Sequence, residues 1–212
     1  MNVGILGTGA VAKTLAAGFL KHGHAVMLGS RTPATLADFI AANPTATAGT
    51  VAEAAAFGEI IVLPVKGLNA ADVLRAAGAA SLAGKTVIDT TNPIAAAPPV
   101  NGVLRYFTTH DDSLMEQLQR EFPDARLVKA FSCVGNALMV DPQLAGGRPS
   151  MFICGNDASA KAQVRGILDA FGWETEDMGA VEAARAIEPL CMLWCIPGFL
   201  RNEWSHAYKV LS

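Results

Sequence analysis

Apolar positions along the chain fall into two kinds of segment that alternate. Short continuous runs rich in branched side chains read as strands covered on both faces. Longer stretches with apolar residues three and four apart read as helices. The first run, Val3-Gly4-Ile5-Leu6, passes straight into Gly7-Thr8-Gly9-Ala10-Val11-Ala12 and a helix to about Lys21, and His22-Gly23-His24 is the turn out of it. Ala25-Val26-Met27-Leu28 opens a second strand, Pro33 to Ala42 is a short helix ended by Asn43-Pro44, and Thr45 to Ala48 is a brief third strand. Thr50-Val51-Ala52-Glu53 has the capping-box spacing that starts a helix. Glu59 to Val65 is a fourth strand, Leu68 to Ala77 a helix, and Lys85 to Thr90 a fifth strand left through Thr91-Asn92-Pro93. Ala95 to Pro99 marks a loop, Ser113-Leu114-Met115-Glu116 caps a helix to about Phe122, and Arg126 to Phe131 is a sixth strand.

The C-terminal quarter continues with a strand at Met151 to Gly155, a helix capped by Asp157 and running to about Phe171, and an edge strand at Trp173 to Met178. Glu182 to Trp194 is helical by spacing, although Pro189 should kink or break it. Trp204 to Leu211 reads as a last short helix. Strands and helices that alternate with crossovers of this length predict an α/β fold: a doubly wound, mostly parallel sheet of the Rossmann kind. A small C-terminal helix-and-strand extension should pack on that sheet. The expected organisation is one dinucleotide-binding domain over 1–212, with 150–212 as its C-terminal subregion.

Composition narrows the function. The chain has 212 residues, of which 51% are hydrophobic and 17% charged, and its net charge of −3 argues against a nucleic-acid partner. No apolar run reaches the length of a membrane span. The longest candidate, Leu190 to Leu200, is short and interrupted by Pro197 and Gly198, so no membrane partner is expected. The start at Met1 enters a strand directly, leaving no room for a secretory signal. Four cysteines without a framework pattern suit a reducing cytoplasm. Cys191 and Cys195 share a helix face without a His or further Cys to complete a metal site, and His22 and His24 are turn residues.

The glycine pattern carries the chemistry. A strand, a glycine turn and a helix start put free backbone N–H groups and the positive end of a helix dipole against a diphosphate. Gly7 allows the turn, Gly9 lets phosphate approach the backbone, and Ala12 keeps the helix close to the sheet. The second strand ends in Gly29-Ser30-Arg31-Thr32, where an NAD site carries a carboxylate for the ribose hydroxyls; here the next carboxylate is Asp38. A guanidinium between two hydroxyls suits a 2′-phosphate, which points to NADP(H) rather than NAD(H). A helix-capping Thr32 before Pro33 with a solvated Arg31 fits the same residues but leaves the missing acid unexplained. Ligands in such folds bind beyond the carboxyl ends of the strands. Pro64 to Gly67, Thr91 to Pro93 and Ser132 to Asn136 are therefore candidates for the nicotinamide and substrate end.

With those elements placed, the chain resembles the NADPH-dependent reductases of the deazaflavin coenzyme F420, and is similar to the cytosolic reductase domain of the six-transmembrane metalloreductases. The resemblance runs nearly end to end. It rests on Ile5-Leu6-Gly7-Thr8-Gly9, Gly29-Ser30-Arg31-Thr32-Pro33, Val128-Lys129-Ala130-Phe131 with Asn136, Ile153-Cys154-Gly155-Asn156-Asp157, Met178-Gly179-Ala180, Glu182-Ala183-Ala184-Arg185 and Ile187-Glu188. It implies hydride transfer between NADP(H) and a flavin-like ring, with coenzyme F420 or FMN as acceptor. Thr8, Gly9, Ala10 and Val11 would hold the diphosphate, with Gly7 in the turn. Ser30 and Arg31 would take the 2′-phosphate beside Thr32, and Pro64, Lys66, Asn92 and Gly135 would lie toward the nicotinamide. No dedicated acid or base is expected, since hydride passes directly between stacked rings. Ser132 and Cys133 are weaker candidates for touching the acceptor. Pairing of two copies is a further expectation.

Two departures fall on the acceptor side. Lys66-Gly67 stands where relatives often carry Pro and an aromatic, and Phe131-Ser132-Cys133 where Phe-Asn-Thr is commoner. Free flavin, a quinone or a ferric complex therefore stay open as acceptors. Two other classes compete: a β-hydroxyacid or imine dehydrogenase, which needs a larger helical domain and a catalytic Lys, and a non-catalytic NADP-sensing module. Lys129, inside a strand, is a poor catalytic Lys.

Overall fold

The computed structural model describes residues 1–211. In chain order the elements are β1 (Asn2–Leu6), α1 (Ala10–Lys21), β2 (Ala25–Gly29), α2 (Ala37–Ala42), β3 (Ala46–Gly49), α3 (Val51–Phe57), β4 (Ile60–Leu63), α4 (Ala70–Ala77), α5 (Ala79–Leu82), β5 (Thr86–Asp89), α6 (Leu114–Glu121), β6 (Arg126–Lys129), β7 (Ser150–Ile153), α7 (Ala158–Ala170), β8 (Glu174–Asp177) and α8 (Ala184–Arg201). The first six strands form one sheet in the order β3-β2-β1-β4-β5-β6, every neighbouring pair parallel. The order reverses between β1 and β4, and that switch point is where doubly wound sheets open a crevice at their carboxyl ends.

Alternate residues of each strand feed two separate cores, which is why the strands read as unbroken apolar runs. Val3, Ile5, Ile60, Val62, Ile88 and Val128 face one side with Leu15 and Phe19 of α1 and Val164 of α7. Leu6, Ile61, Leu63, Val87 and Leu127 face the other with Ala54 of α3, Leu74 of α4 and Leu118 of α6. Gly4 is required by this packing, because a Cβ there would stand 2.2 Å from the Ala54 carbonyl oxygen. Thr50 and Ser113 form capping boxes with Glu53 and Glu116, and Asp157 caps α7, as their spacing indicated.

The C-terminal segment attaches through a parallel β7–β8 pair. One antiparallel bridge, Lys129 with Cys154, joins it to β6. Two expectations change here. Of the kink or break expected at Pro189, the break does not occur: α8 runs through both Pro189 and Pro197. Buried Ile187, Cys191 and Trp194 hold it against the sheet, and tertiary packing outweighs the two lost backbone bonds. The prolines therefore do not interrupt the apolar run either. Val181–Arg201 is long and apolar enough to cross a membrane by length and composition, with 33% of it buried in the fold. Nor do residues 204–211 form a helix. They run as a tail along β7, where Ser150 N–H donates to the Tyr208 carbonyl at 2.9 Å and the Trp194 indole N–H donates to the His206 carbonyl at 2.7 Å.

Glu116 shows how the extension is fastened. Arg185, just inside α8, donates to it through Nε and Nη2, and Ser113 donates from both its N–H and its hydroxyl. The Arg185 bonds, opposed by burial and reinforced by Ser113, hold the carboxyl down at about 2 against an ordinary value of 4.5. A folded value below the unfolded one stabilises fully above pH 4.5 and loses that contribution as pH falls toward 2. Thermal unfolding followed between pH 6 and 2 should show this loss. Glu116→Gln should flatten the acid limb by about 1–2 kcal/mol, a figure discounted for the partly exposed Arg185.

Candidate cofactor site

The crevice begins at α1. Its N-cap is Gly9, which offers no side-chain cap, so the first four amides of the helix depend on a ligand or water. Thr8, Gly9 and Ala10 are exposed there and Ala12 is fully buried against the sheet. The position a Cβ would take on Gly9 is open for 4 Å around. Gly7 N–H donates to the Gly29 carbonyl at 3.0 Å, and a Cβ on Gly7 would come within 3.3 Å of the Pro64 carbonyl oxygen. The β1, β2 and β4 tips thus converge under the helix start.

Leu6 pairs with Gly29 in the sheet, so Ser30, Arg31 and Thr32 stand beside that helix start. Ser30 is nearly buried and its Oγ accepts the Thr32 N–H at 3.0 Å, leaving the hydroxyl proton to donate elsewhere. Arg31 is exposed, and among the described residues no carboxylate lies within 4.0 Å of it. Asp38 sits in the first turn of α2.

At the other end, Pro64 is buried directly after β4, while Lys66 is exposed with no carboxylate within 4.0 Å among the described residues. Asn92 leaves β5 and its Nδ2 donates to the Ser132 carbonyl at 2.7 Å. Two polar atoms remain buried there without a partner, Asn92 Oδ1 and Ser132 Oγ. Just before Ser132, buried Phe131 adopts a left-handed φ of +60°. That conformation costs an aromatic residue about 1–3 kcal/mol and recurs where a site demands it. Gly135 lies against the Trp194 ring, with Asn136 Nδ2 donating to Thr14 Oγ1 of α1 at 3.3 Å. Cys133 is buried and desolvation pushes its thiol up to about 12, so it is a neutral packing group.

Sequence reasoning missed a buried ionic cluster under this rim. Lys129 Nζ lies 2.7 Å from Asp89 Oδ2 and 2.9 Å from Glu188 Oε1, all three residues essentially without exposure. The available signal was a lysine ending one apolar strand, an aspartate ending its neighbour and a glutamate within an apolar helix. Among the described residues no group of three His, Cys, Asp or Glu side chains could hold a metal ion. A cavity of about 230 Å³ is lined by Tyr106, His110, Ser113, Arg185 and Glu188, with no residue of the glycine turn in its wall.

Comparison with known proteins decides the family. The family described as NADP oxidoreductase, coenzyme F420-dependent, matches residues 2–93. A crystal structure of a candidate F420-dependent NADP-reductase from Arthrobacter sp. FB24 is 34% identical, with a TM-score of 0.94 over 100% of both chains. The chain belongs to this family of NADP-dependent oxidoreductases. Metalloreductase STEAP3 of Rattus norvegicus is 32% identical over 94% of the chain and 39% of its own length. Metalloreductase STEAP2 of Homo sapiens is 28% identical over 90% and 36%. This member of the F420-dependent oxidoreductase family thus spans about two fifths of those curated relatives.

The Lys66-Gly67 departure has a packing reason. A Cβ on Gly67 would stand 2.2 Å from the Asn92 carbonyl oxygen and 2.8 Å from Leu114 Cδ2. Gly67→Ala must therefore displace the Asn92 turn. It should cost roughly 1–3 kcal/mol in chemical denaturation, whereas Lys66→Ala at the exposed neighbour should cost less than about 0.5 kcal/mol.

Proposed function

We propose that the crevice binds NADP(H) and that the chain transfers hydride between it and a deazaflavin such as coenzyme F420, or a flavin-like ring. The observation that carries the reading is the β2 tip: a hydroxyl with a proton to donate and an unpaired guanidinium where an NAD site would present an acid. Thr8, Gly9, Ala10 and Val11 would hold the diphosphate on the uncapped start of α1. Ser30 and Arg31 would hold the 2′-phosphate with Thr32 adjacent.

The far end suits a nicotinamide. A carboxamide donates through its NH₂ and accepts through its oxygen, and the buried Asn92 Oδ1 and Ser132 Oγ lack those complements. Pro64, Lys66 and Gly135 would frame the ring. The nicotinamide itself supplies the hydride chemistry. The residues around it bind, orient and exclude water, and none is assigned as acid, base or nucleophile.

The likeness to the Arthrobacter protein, a candidate F420-dependent NADP-reductase, supports coenzyme F420 as acceptor. The metalloreductase relatives support a second reading, reduction of a ferric complex by way of a flavin. An NADPH oxidation assay across coenzyme F420, FMN, riboflavin, menadione and ferric citrate separates the two. Turnover with coenzyme F420 alone supports the first, turnover with iron that needs added flavin supports the second, and no turnover with any acceptor refutes both. Arg31→Ala should weaken NADPH binding about 10–100-fold, the loss of one charge-assisted contact of roughly 1.5–3 kcal/mol, and NADH binding far less. Equal losses for the two cofactors in calorimetry would refute the 2′-phosphate assignment.

A further inference from the structure

We infer that Lys129 is a positioning residue that holds the Thr91–Asn92 turn in the shape that receives the nicotinamide, with Glu188 of α8 as its outer support. The inference rests on the NADP(H) reading above and goes beyond it by assigning a role to the ionic cluster beneath the rim.

The cluster is arranged around one peptide unit. Lys129 Nζ donates to the Thr91 carbonyl at 2.8 Å. Asp89 Oδ1 accepts the Thr91 N–H at 2.8 Å and the Thr91 hydroxyl at 2.7 Å. Both backbone polar groups of Thr91 are therefore held by partners of one ion pair. The Asn92 carbonyl is pressed by Gly67 and the Asn92 side chain is tied to Ser132, so the turn is constrained on every side except at Asn92 Oδ1. Asp89 Oδ2 lies within ion-pair distance of Lys129 but has no hydrogen-bond geometry, and the contact is an electrostatic one.

Charge balance explains the third member. One ammonium against two carboxylates leaves a buried negative charge. Glu188 offsets it by accepting from Leu114 N–H at 3.1 Å and Met115 N–H at 3.0 Å, the positive end of α6. Burial alone would depress the lysine; the two carboxylates outweigh burial and raise it, so it stays charged. Such a cluster is weak evidence for stability, because desolvating three ions costs as much as their attraction returns, and apolar residues of similar volume often serve as well. What apolar residues cannot do is grip the Thr91 carbonyl.

The test compares two ligands that differ only in the nicotinamide: NADP⁺ and 2′-phospho-ADP-ribose. Calorimetry on the full chain measures both for wild type, Lys129→Met, the charge-adjusted Lys129→Met/Glu188→Gln and Lys129→Arg, with thermal unfolding in parallel. The expected result is that the methionine variants keep 2′-phospho-ADP-ribose affinity within about twofold, lose NADP⁺ affinity about tenfold or more, and that Lys129→Arg recovers part of the loss. Equal loss for both ligands, or unchanged NADP⁺ affinity, overturns the inference. So does loss of the fold in both methionine variants while Lys129→Arg binds NADP⁺ like wild type, since the role is then structural. Failure of the wild type to bind either ligand refutes the NADP(H) reading instead.

Discussion

The site depends on a helix that starts without a cap. α1 opens on Gly9 at the crest of β1, and no side chain closes its first turn. Four amides carrying the positive end of a helix dipole are left at the one point in the sheet where strand order reverses. That exposure has to be built. Ala12 lets the helix lie against the sheet, Gly4 admits α3 from the opposite face, and Gly7 allows the β4 tip to close in from the side. A larger side chain at Ala12 or Gly7 would disturb the helix start or the turn into it, and one at Gly4 would push α3 off the opposite face.

The two ends of the crevice are specified by different means. At the end proposed for the adenosine, the chemistry sits on one short segment, Ser30 to Thr32. Charge and hydrogen-bond donors are legible there from residue type and place. At the end proposed for the nicotinamide no single segment suffices. Asn92 leaves β5, Ser132 follows a left-handed Phe131 after β6, Gly67 follows β4, and the three meet only when parallel register brings Leu63 beside Asp89 and Asp89 beside Lys129. Both departures from the family pattern fall here, at Gly67 and at Ser132-Cys133. The first makes room for the Asn92 carbonyl, and the second leaves a buried hydroxyl without a partner beside a neutral packing thiol.

Much of this architecture is legible in the sequence. Apolar runs located the central strands, because strands buried on both faces leave no polar alternation to confuse, while β3 and the polar β8 were placed by their position between helices and turns. Capping boxes at Thr50 and Ser113 and the Asp157 cap set helix starts through local hydrogen bonds. What was not readable depends on distant contacts. Pro189 and Pro197 stay helical because the sheet and Tyr106 hold α8, whose Glu188 carbonyl accepts the Tyr106 hydroxyl at 2.7 Å. The tail after Asn202 stays extended because β7 and Trp194 take its backbone groups. Lys129 looked like an ordinary strand residue until Asp89 and Glu188, 40 positions before and 59 after it, closed around it.

The most direct test is a backbone-amide NMR titration with NADP⁺. The account predicts that the largest shifts fall on the amides of Thr8 to Val11 and of Ser30 to Thr32, with a second set at Asn92 and Ser132. Binding that shifts residues elsewhere while the Thr8 to Val11 amides stay unmoved, or no binding at all, would contradict it.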